Sequence, residues 1–408
     1  MTHRSVLQIA LALAAASCSG GASGTGERTG ERATSRQPST NAALSVERPA
    51  SSVHVDGGGS RKEPLAGLVD MQNIAFHNSD DGEPAFVIEN VSKWPGIFGG
   101  VVVNATWRSI EPKQGGNLDT SSIDAALDKV RAYNAANPSH PIGVKLRVYA
   151  GSSAPSWAKS LAGGPVHIER NPKGCANPPC PLTIGKHWTG EYATAWRSFQ
   201  GRLATKYDDE PLVRQVAVTS CASQTDEPFV SSSEKSSRAA LTSAGYDDAA
   251  EKKCLMGAID DYAAWKKTLI DYTINTFSKV EGGVDNEFPL SVMRHCRDVL
   301  GARCVLDNHA LSSPLRESER DVYDAMKAMK GVVNFQTEAP RGMGCRWRAT
   351  IAEGVALGAV SIEVWPDEKY QGFLSLTEAN VRELAAELTS PIAVPKAEAI
   401  EKDCKGFL

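Results

Sequence analysis

Two carboxylates stand out by where they fall along the chain. Glu338 follows an apolar run, Val332-Val333-Asn334-Phe335, that surfaces at Gln336-Thr337 and is ended by Pro340. A carboxylate on the last step of a buried strand is poorly placed for a core and well placed for chemistry, because catalytic groups of a closed α/β barrel sit at strand C-termini. Glu227, in SCASQTDEP (Ser220 to Pro228), follows a second such run, Val213 to Thr219. Together two such groups can break a bond held between them: one stays ionised and attacks, the other is protonated and releases the leaving atom. Their surroundings must then push the two pKa values apart. Asp226, beside Glu227, is a like charge that raises it, and Asn334, Gln336 or an arginine such as Arg147 would hold Glu338 charged. The plainer readings are that Glu338 opens a solvated loop and that Glu227 pairs with a surface Lys or Arg. Glu363, in SIEVWPD, is the reserve carboxylate: a replacement for Glu338, a substrate ligand, or the partner of a barrel arginine.

These groups need elements to carry them. Strand-like runs occur at Gly67 to Met71, Phe98 to Ala105, Ile142 to Tyr149, Val213 to Thr219, Phe288 to Met293, Arg303 to Asp307, Val332 to Phe335 and Ala359 to Trp365. Apolar residues at three- and four-residue spacing predict helices over Asp119 to Tyr133, Tyr192 to Tyr207, Arg346 to Leu357 and Leu376 to Leu388. Asp247 to Val280 is expected to be helical in two joined pieces. Eight strands interleaved with helices predict an α/β fold, a parallel closed (β/α)8 TIM barrel, since parallel strands need crossover connections. An open doubly wound sheet fits less well, because no GxGxxG or GK(S/T) element follows the first strand.

The 408 residues carry a formal charge of −4 with no clustered excess of Lys and Arg, which argues against a nucleic-acid partner. Residues 1–17 have the positive start, short apolar run and small-residue end of an export signal. Ala15-Ala16-Ser17-Cys18 resembles a lipobox, which makes Cys18 the expected acylated residue and its lipid the only expected membrane contact. Residues 18–62, rich in Gly, Ser and Thr, read as a disordered tether, and residues 65–408 as one decorated barrel. Setting Cys18 aside leaves eight of nine cysteines, an even set suited to an oxidising compartment. Cys175 with Cys180 and Cys296 with Cys304 are neighbours in sequence. Cys221 with Cys254 and Cys345 with Cys404 are guesses that would complete four bridges, among the 105 connectivities eight cysteines allow. No CxxC or HxxxH pair suggests a metal, and nothing asks for a cofactor. The oligomeric state is open.

Three local texts point to one family group. WRSIEPKQG (Trp107 to Gly115) resembles the segment after the second strand of retaining (β/α)8 glycosidases, and KLRVYAGSSAPSWA (Lys145 to Ala158) resembles their third strand. The two strand-end glutamates match that clan's catalytic positions. The resemblance implies glycoside hydrolysis, with Glu338 as nucleophile and Glu227 as acid/base. It departs at Asp226, where the clan usually has an Asn that contacts the sugar 2-hydroxyl. On this reading Trp107, Tyr149, Trp157 and Trp365 are candidates to stack on pyranose rings, with at least one expected to be plain core. Arg147, Asp226, Gln336 and Glu363 are candidate hydroxyl ligands. Glu111 is expected to fix a turn, and His309 to bind a hydroxyl or serve the structure. The alternative is a catalytically silent barrel that binds glycan at the cell surface.

Overall fold

A computed structural model of the chain describes residues 61–72, 85–169, 181–227, 235–339, 345–366 and 372–389. Eight strands form one closed parallel barrel: β1 (Gly67–Asp70), β2 (Phe98–Thr106), β3 (Gly143–Tyr149), β4 (Val213–Ala217), β5 (Leu269–Thr273), β6 (Cys304–Asp307), β7 (Val332–Gln336) and β8 (Ser361–Val364). Every neighbouring pair is parallel, and β1 closes on β8 through Gly67 to Val364. The outer layer contains α1 (Ser121–Ala136), α2 (Gly190–Tyr207), α3 (Lys235–Ser243), α4 (Asp248–Asp261), α5 (Glu287–Leu300), α6 (Arg320–Ala328), α7 (Trp347–Ala356) and α8 (Glu378–Glu387). Two antiparallel hairpins decorate it, Val166–Glu169 with Pro181–Ile184 and Phe277–Ser278 with Val284–Asp285. The (β/α)8 expectation holds.

Two spans differ from the sequence reading. Phe288 to Met293 is not the fifth strand but the start of α5, with Pro289, Val292, Met293, Cys296 and Leu300 buried on one face. Pro289 lies in the first turn, where a missing N–H costs nothing. The fifth strand is instead Leu269–Thr273, inside the stretch expected to be helical; α4 ends at Asp261 and only a short turn separates the two.

The barrel is floored near Lys62, whose Nζ donates to Glu210 O and Val213 O at 2.8 Å and to Thr268 Oγ1 at 2.9 Å. Burial lowers its pKa to about 8 despite the carboxylates of Asp208 and Glu210. Apolar packing between barrel and helices is continuous. Trp107, read as a sugar platform, lies at its centre with no exposed face: its ring meets Trp157, Tyr192 and Trp196 edge-on at 4.9 to 5.5 Å. It is a core residue.

Disulfides join Cys221 to Cys254 and Cys296 to Cys304, as paired in the sequence reading. Cys345 is also disulfide-bonded. Cys18, Cys175, Cys180 and Cys404 lie outside the described residues, as do the export signal and nearly all of the tether.

Candidate functional site

The interior of a (β/α)8 barrel is normally filled by branched apolar side chains. Here one side is apolar, where Leu65, Val69, Met71 and Val102 pack with Trp365 against them. Elsewhere alternation along β3 turns Lys145, Arg147 and Tyr149 inward, and β5, β6 and β8 answer across the barrel with acids. Lys145 Nζ lies 2.6 Å from Asp271, 2.8 Å from Asp307 and 2.6 Å from Glu363. Arg147 Nη2 donates to Glu363 Oε2 at 2.6 Å, while its Nε makes a 2.6 Å charge contact with Asp226 Oδ2, not aligned for a hydrogen bond. His309 lies 3.6 Å from Asp226 Oδ1 and 3.3 Å from Asp307 Oδ2, with Thr273 Oγ1 3.2 Å from its Nε2.

These contacts close on themselves. Asp226, Arg147, Glu363, Lys145, Asp307 and His309 form a six-membered ring of alternating charge, each residue at most 5% exposed. Burial alone would push the His309 imidazolium toward neutrality, but Asp226 and Asp307 raise its pKa to about 9. Burial pushes Asp226 up, and Arg147 and His309 more than reverse this, so its pKa lies below the ordinary value. Asp307 is also held well below the ordinary range: burial opposes ionisation, but Lys145 and His309 outweigh it. Asp271 is Lys145's third partner and also accepts from Asn334 Nδ2 at 3.1 Å. Burial dominates there and raises its pKa against the pull of Lys145.

Glu363 therefore does what the plainest of its three readings said. Both its oxygens are engaged, by Lys145 and Arg147, and it is buried. Arg147 pairs with Glu363 and Asp226 rather than Glu338 and is fully enclosed, which makes it a ring member. Asn334 likewise turns to Asp271 and Gln215.

Glu338 extends the inward face of β7 beyond Asn334 and Gln336. Its segment is pinned on both sides: Gln336 N donates to Asn308 O, Glu338 N to Leu311 O, and Thr337 N to Glu363 O. The cation it meets is Arg316, on the loop after β6, with which it forms an ion pair; 21% of its side chain stays exposed. Nothing in the sequence singled out Arg316.

Glu227 lies ten residues past the end of β4. That loop is fixed where Ser223 O accepts from Ser152 N at 2.8 Å and where Cys221 is bridged to α4. Gly151 makes this approach possible: at φ +51° it occupies the left-handed region, and a Cβ there would stand 2.3 Å from Ser223 O. Among the described residues no side chain hydrogen-bonds or pairs with the Glu227 carboxyl; only its backbone N–H is engaged, by Thr225 Oγ1. Burial raises its pKa, His309 and Arg147 oppose, and Asp226 and Glu319 reinforce the rise. Glu319, missed by sequence reasoning, is buried with Oε1 accepting from Thr276 and Oε2 without a partner among the described residues.

The remaining candidates divide. Tyr149 is buried, its hydroxyl donating to Asn104 Oδ1 at 3.0 Å. Trp365 is half-buried at the end of β8, with Nε1 donating to Thr337 O at 3.0 Å. Gln336 points inward at the strand ends with no described partner for its amide. Trp157 is half-buried on the flank, its Nε1 donating to Glu111 O. Glu111 is structural, bound by Arg202, Trp107 Nε1 and Gly115 N.

No protein-family model matches the chain, and no curated protein matches its sequence. Among solved structures it is similar to endo-glycoceramidase II from Rhodococcus sp., at 15% identity over 76% of this chain and 75% of that one, with a TM-score of 0.46. It is also similar to an endo-beta-1,4-glucanase from Xanthomonas axonopodis pv. citri, at 14% identity over 79% of this chain and 100% of that one, with a TM-score of 0.46.

Proposed function

We propose that the chain is a retaining glycoside hydrolase, with Glu338 as nucleophile and Glu227 as general acid/base. One observation carries this reading: two glutamates follow β4 and β7 of one barrel, and their surroundings oppose each other. Glu338 faces Arg316, the partner an ionised nucleophile needs. Glu227 is unpaired among the described residues, and burial favours its protonated form. In the first step a Glu338 oxygen bonds to the anomeric carbon as the glycosidic C–O bond breaks, and the Glu227 proton passes to the leaving oxygen. In the second, Glu227 takes a proton from water, whose oxygen displaces Glu338 and frees the sugar. Trp365 and Gln336 are the side chains best suited to hold the sugar.

The substrate on this reading is a polysaccharide or glycoconjugate outside the cytoplasm. Two disulfides support an oxidising compartment, and no helix among the described residues is long and apolar enough to cross a membrane. Anchoring would rest on acylated Cys18 and the tether that follows it.

The test is turnover of a panel of nitrophenyl glycosides. Glu338→Ala is expected to abolish it with an unchanged circular dichroism spectrum. Glu227→Gln should lose ~100-fold or more toward poor leaving groups and less toward nitrophenol, which needs little protonation. Full activity of Glu338→Ala would sink the assignment. Binding without turnover in the parent protein would favour the glycan-binding barrel.

A further inference from the structure

The loop residue before the acid/base is an aspartate buried between two cations. Asp226 is 4% exposed, with Oδ2 at 2.6 Å from Arg147 Nε and Oδ1 at 3.6 Å from His309 Nδ1. Both contacts are charge contacts with buried cations rather than aligned hydrogen bonds. Its cations are themselves fixed: Arg147 by Glu363, His309 by Asp307, and both of those by Lys145. The ring therefore holds Asp226 in one place and in one charge state.

We propose that Asp226 is the positioning residue of the acid/base: a buried anion, fixed by Arg147 and His309, that sets the position and the electrostatic surroundings of Glu227. This rests on the reading of Glu227 as acid/base. Among the described residues, the charged groups that act on Glu227 include Asp226 on its own loop, Arg147 from β3, His309 after β6, and Glu319 before α6. Asp226 and Glu319 favour the proton; Arg147 and His309 oppose it. Asp226 is adjacent in the chain and cannot be screened by solvent, so its removal has a defined sign.

The experiment follows the titration of Glu227 itself, by nuclear magnetic resonance of carboxyl-labelled glutamate in the whole protein, with Glu227→Gln to assign the signal. Asp226→Asn removes the like charge, and the midpoint should fall by about one pH unit. His309→Gln removes a cation while Arg147 keeps Asp226 ionised, so the midpoint should rise. Asp226→Asn with His309→Gln removes one charge of each sign, leaves the ring balanced, and should return the midpoint close to the parent value. If Asp226→Asn does not fold, His309→Gln and the balanced pair decide the matter. The basic limb of kcat/KM on a nitrophenyl glycoside should move with each midpoint. Coincident midpoints in all folded variants, or a uniform loss of kcat/KM with no shift of the limb, overturns the proposal. Absence of any glycoside turnover in the parent would overturn the hydrolase reading alone, because the titration needs no substrate.

Discussion

Lys145→Met is the severest test of the interior ring. The variant keeps the length and volume of the stem and removes one buried charge that touches Asp271, Asp307 and Glu363. In the parent, three cations, Lys145, Arg147 and His309, face the carboxyls of Asp226, Asp307, Glu363 and Asp271, and burial raises the pKa of the fourth, Asp271. Without Lys145, two cations remain, and one further carboxyl must be protonated or stand unpaired. Moving a carboxyl from its ordinary value near 4 to above neutrality costs ~1.4 kcal/mol per pH unit, or about 4 kcal/mol at pH 7. That agrees with the ~3–5 kcal/mol found on breaking buried ion pairs and is a large share of the ~5–15 kcal/mol that stabilises a domain. The sign with pH follows from proton counting. The folded variant binds one more proton than its unfolded chain between about pH 4 and 7, so its stability rises as pH falls. The deficit relative to the parent should shrink from about 4 kcal/mol at pH 7 to about 1.5 kcal/mol at pH 5. Urea unfolding followed by tryptophan fluorescence at both values measures this. A deficit below ~1 kcal/mol at pH 7, or one equal at both pH values, would refute the charge count.

Two further outcomes are expected. His309, with its pKa raised to about 9, contributes stability that is complete below its ordinary value near 6.5 and lost as pH rises through 9; the parent should lose about 3 kcal/mol across that window, seen as a falling urea midpoint, and His309→Gln should lack this component. Gly151→Ala adds a Cβ 2.3 Å from Ser223 O at φ +51°, so it should cost ~1–3 kcal/mol by thermal unfolding and lower activity further by displacing the loop that carries Asp226 and Glu227.

The strands visible in the sequence were those bounded by turn residues and followed by clear helical spacing. Leu269–Thr273 was hidden because it follows α4 after a short turn and is five residues long, too short for periodicity to separate it from the helix. Phe288 to Met293 misled because a six-residue window of α5 shows apolar residues without revealing the four-residue step that Cys296 and Leu300 complete. That the two glutamates follow β4 and β7 was legible from position alone. Their electrostatic partners were not, since the ring joins residues as far apart as Lys145 and Glu363, and Arg316 lies in a loop with no periodic signal. A signal for the ring was nevertheless present. Lys145 and Arg147 alternate in an otherwise apolar strand, and single acids interrupt the apolar runs LIDYT, CVLD and SIEV. Charges of opposite sign, each at an inward step of a different strand, can be tolerated in a barrel only if they meet.

Buried ion pairs seldom add net stability over apolar packing of the same volume, so the ring is better understood through what it constrains. It ties the loop after β4 to β3, β8 and β6 through contacts that solvent cannot screen. Glu227 therefore stands on a charge framework set inside the barrel. Glu338 is held differently, by backbone pairing of β7 with its neighbours and by Arg316, whose side chain is 49% exposed. The two carboxyls are thus governed by separate groups, one set deep and rigid, the other at the surface and open to salt. Separate control is what a pair with opposite protonation states requires. It also means that a change in the ring acts on Glu227 first, while Glu338 keeps its own partner.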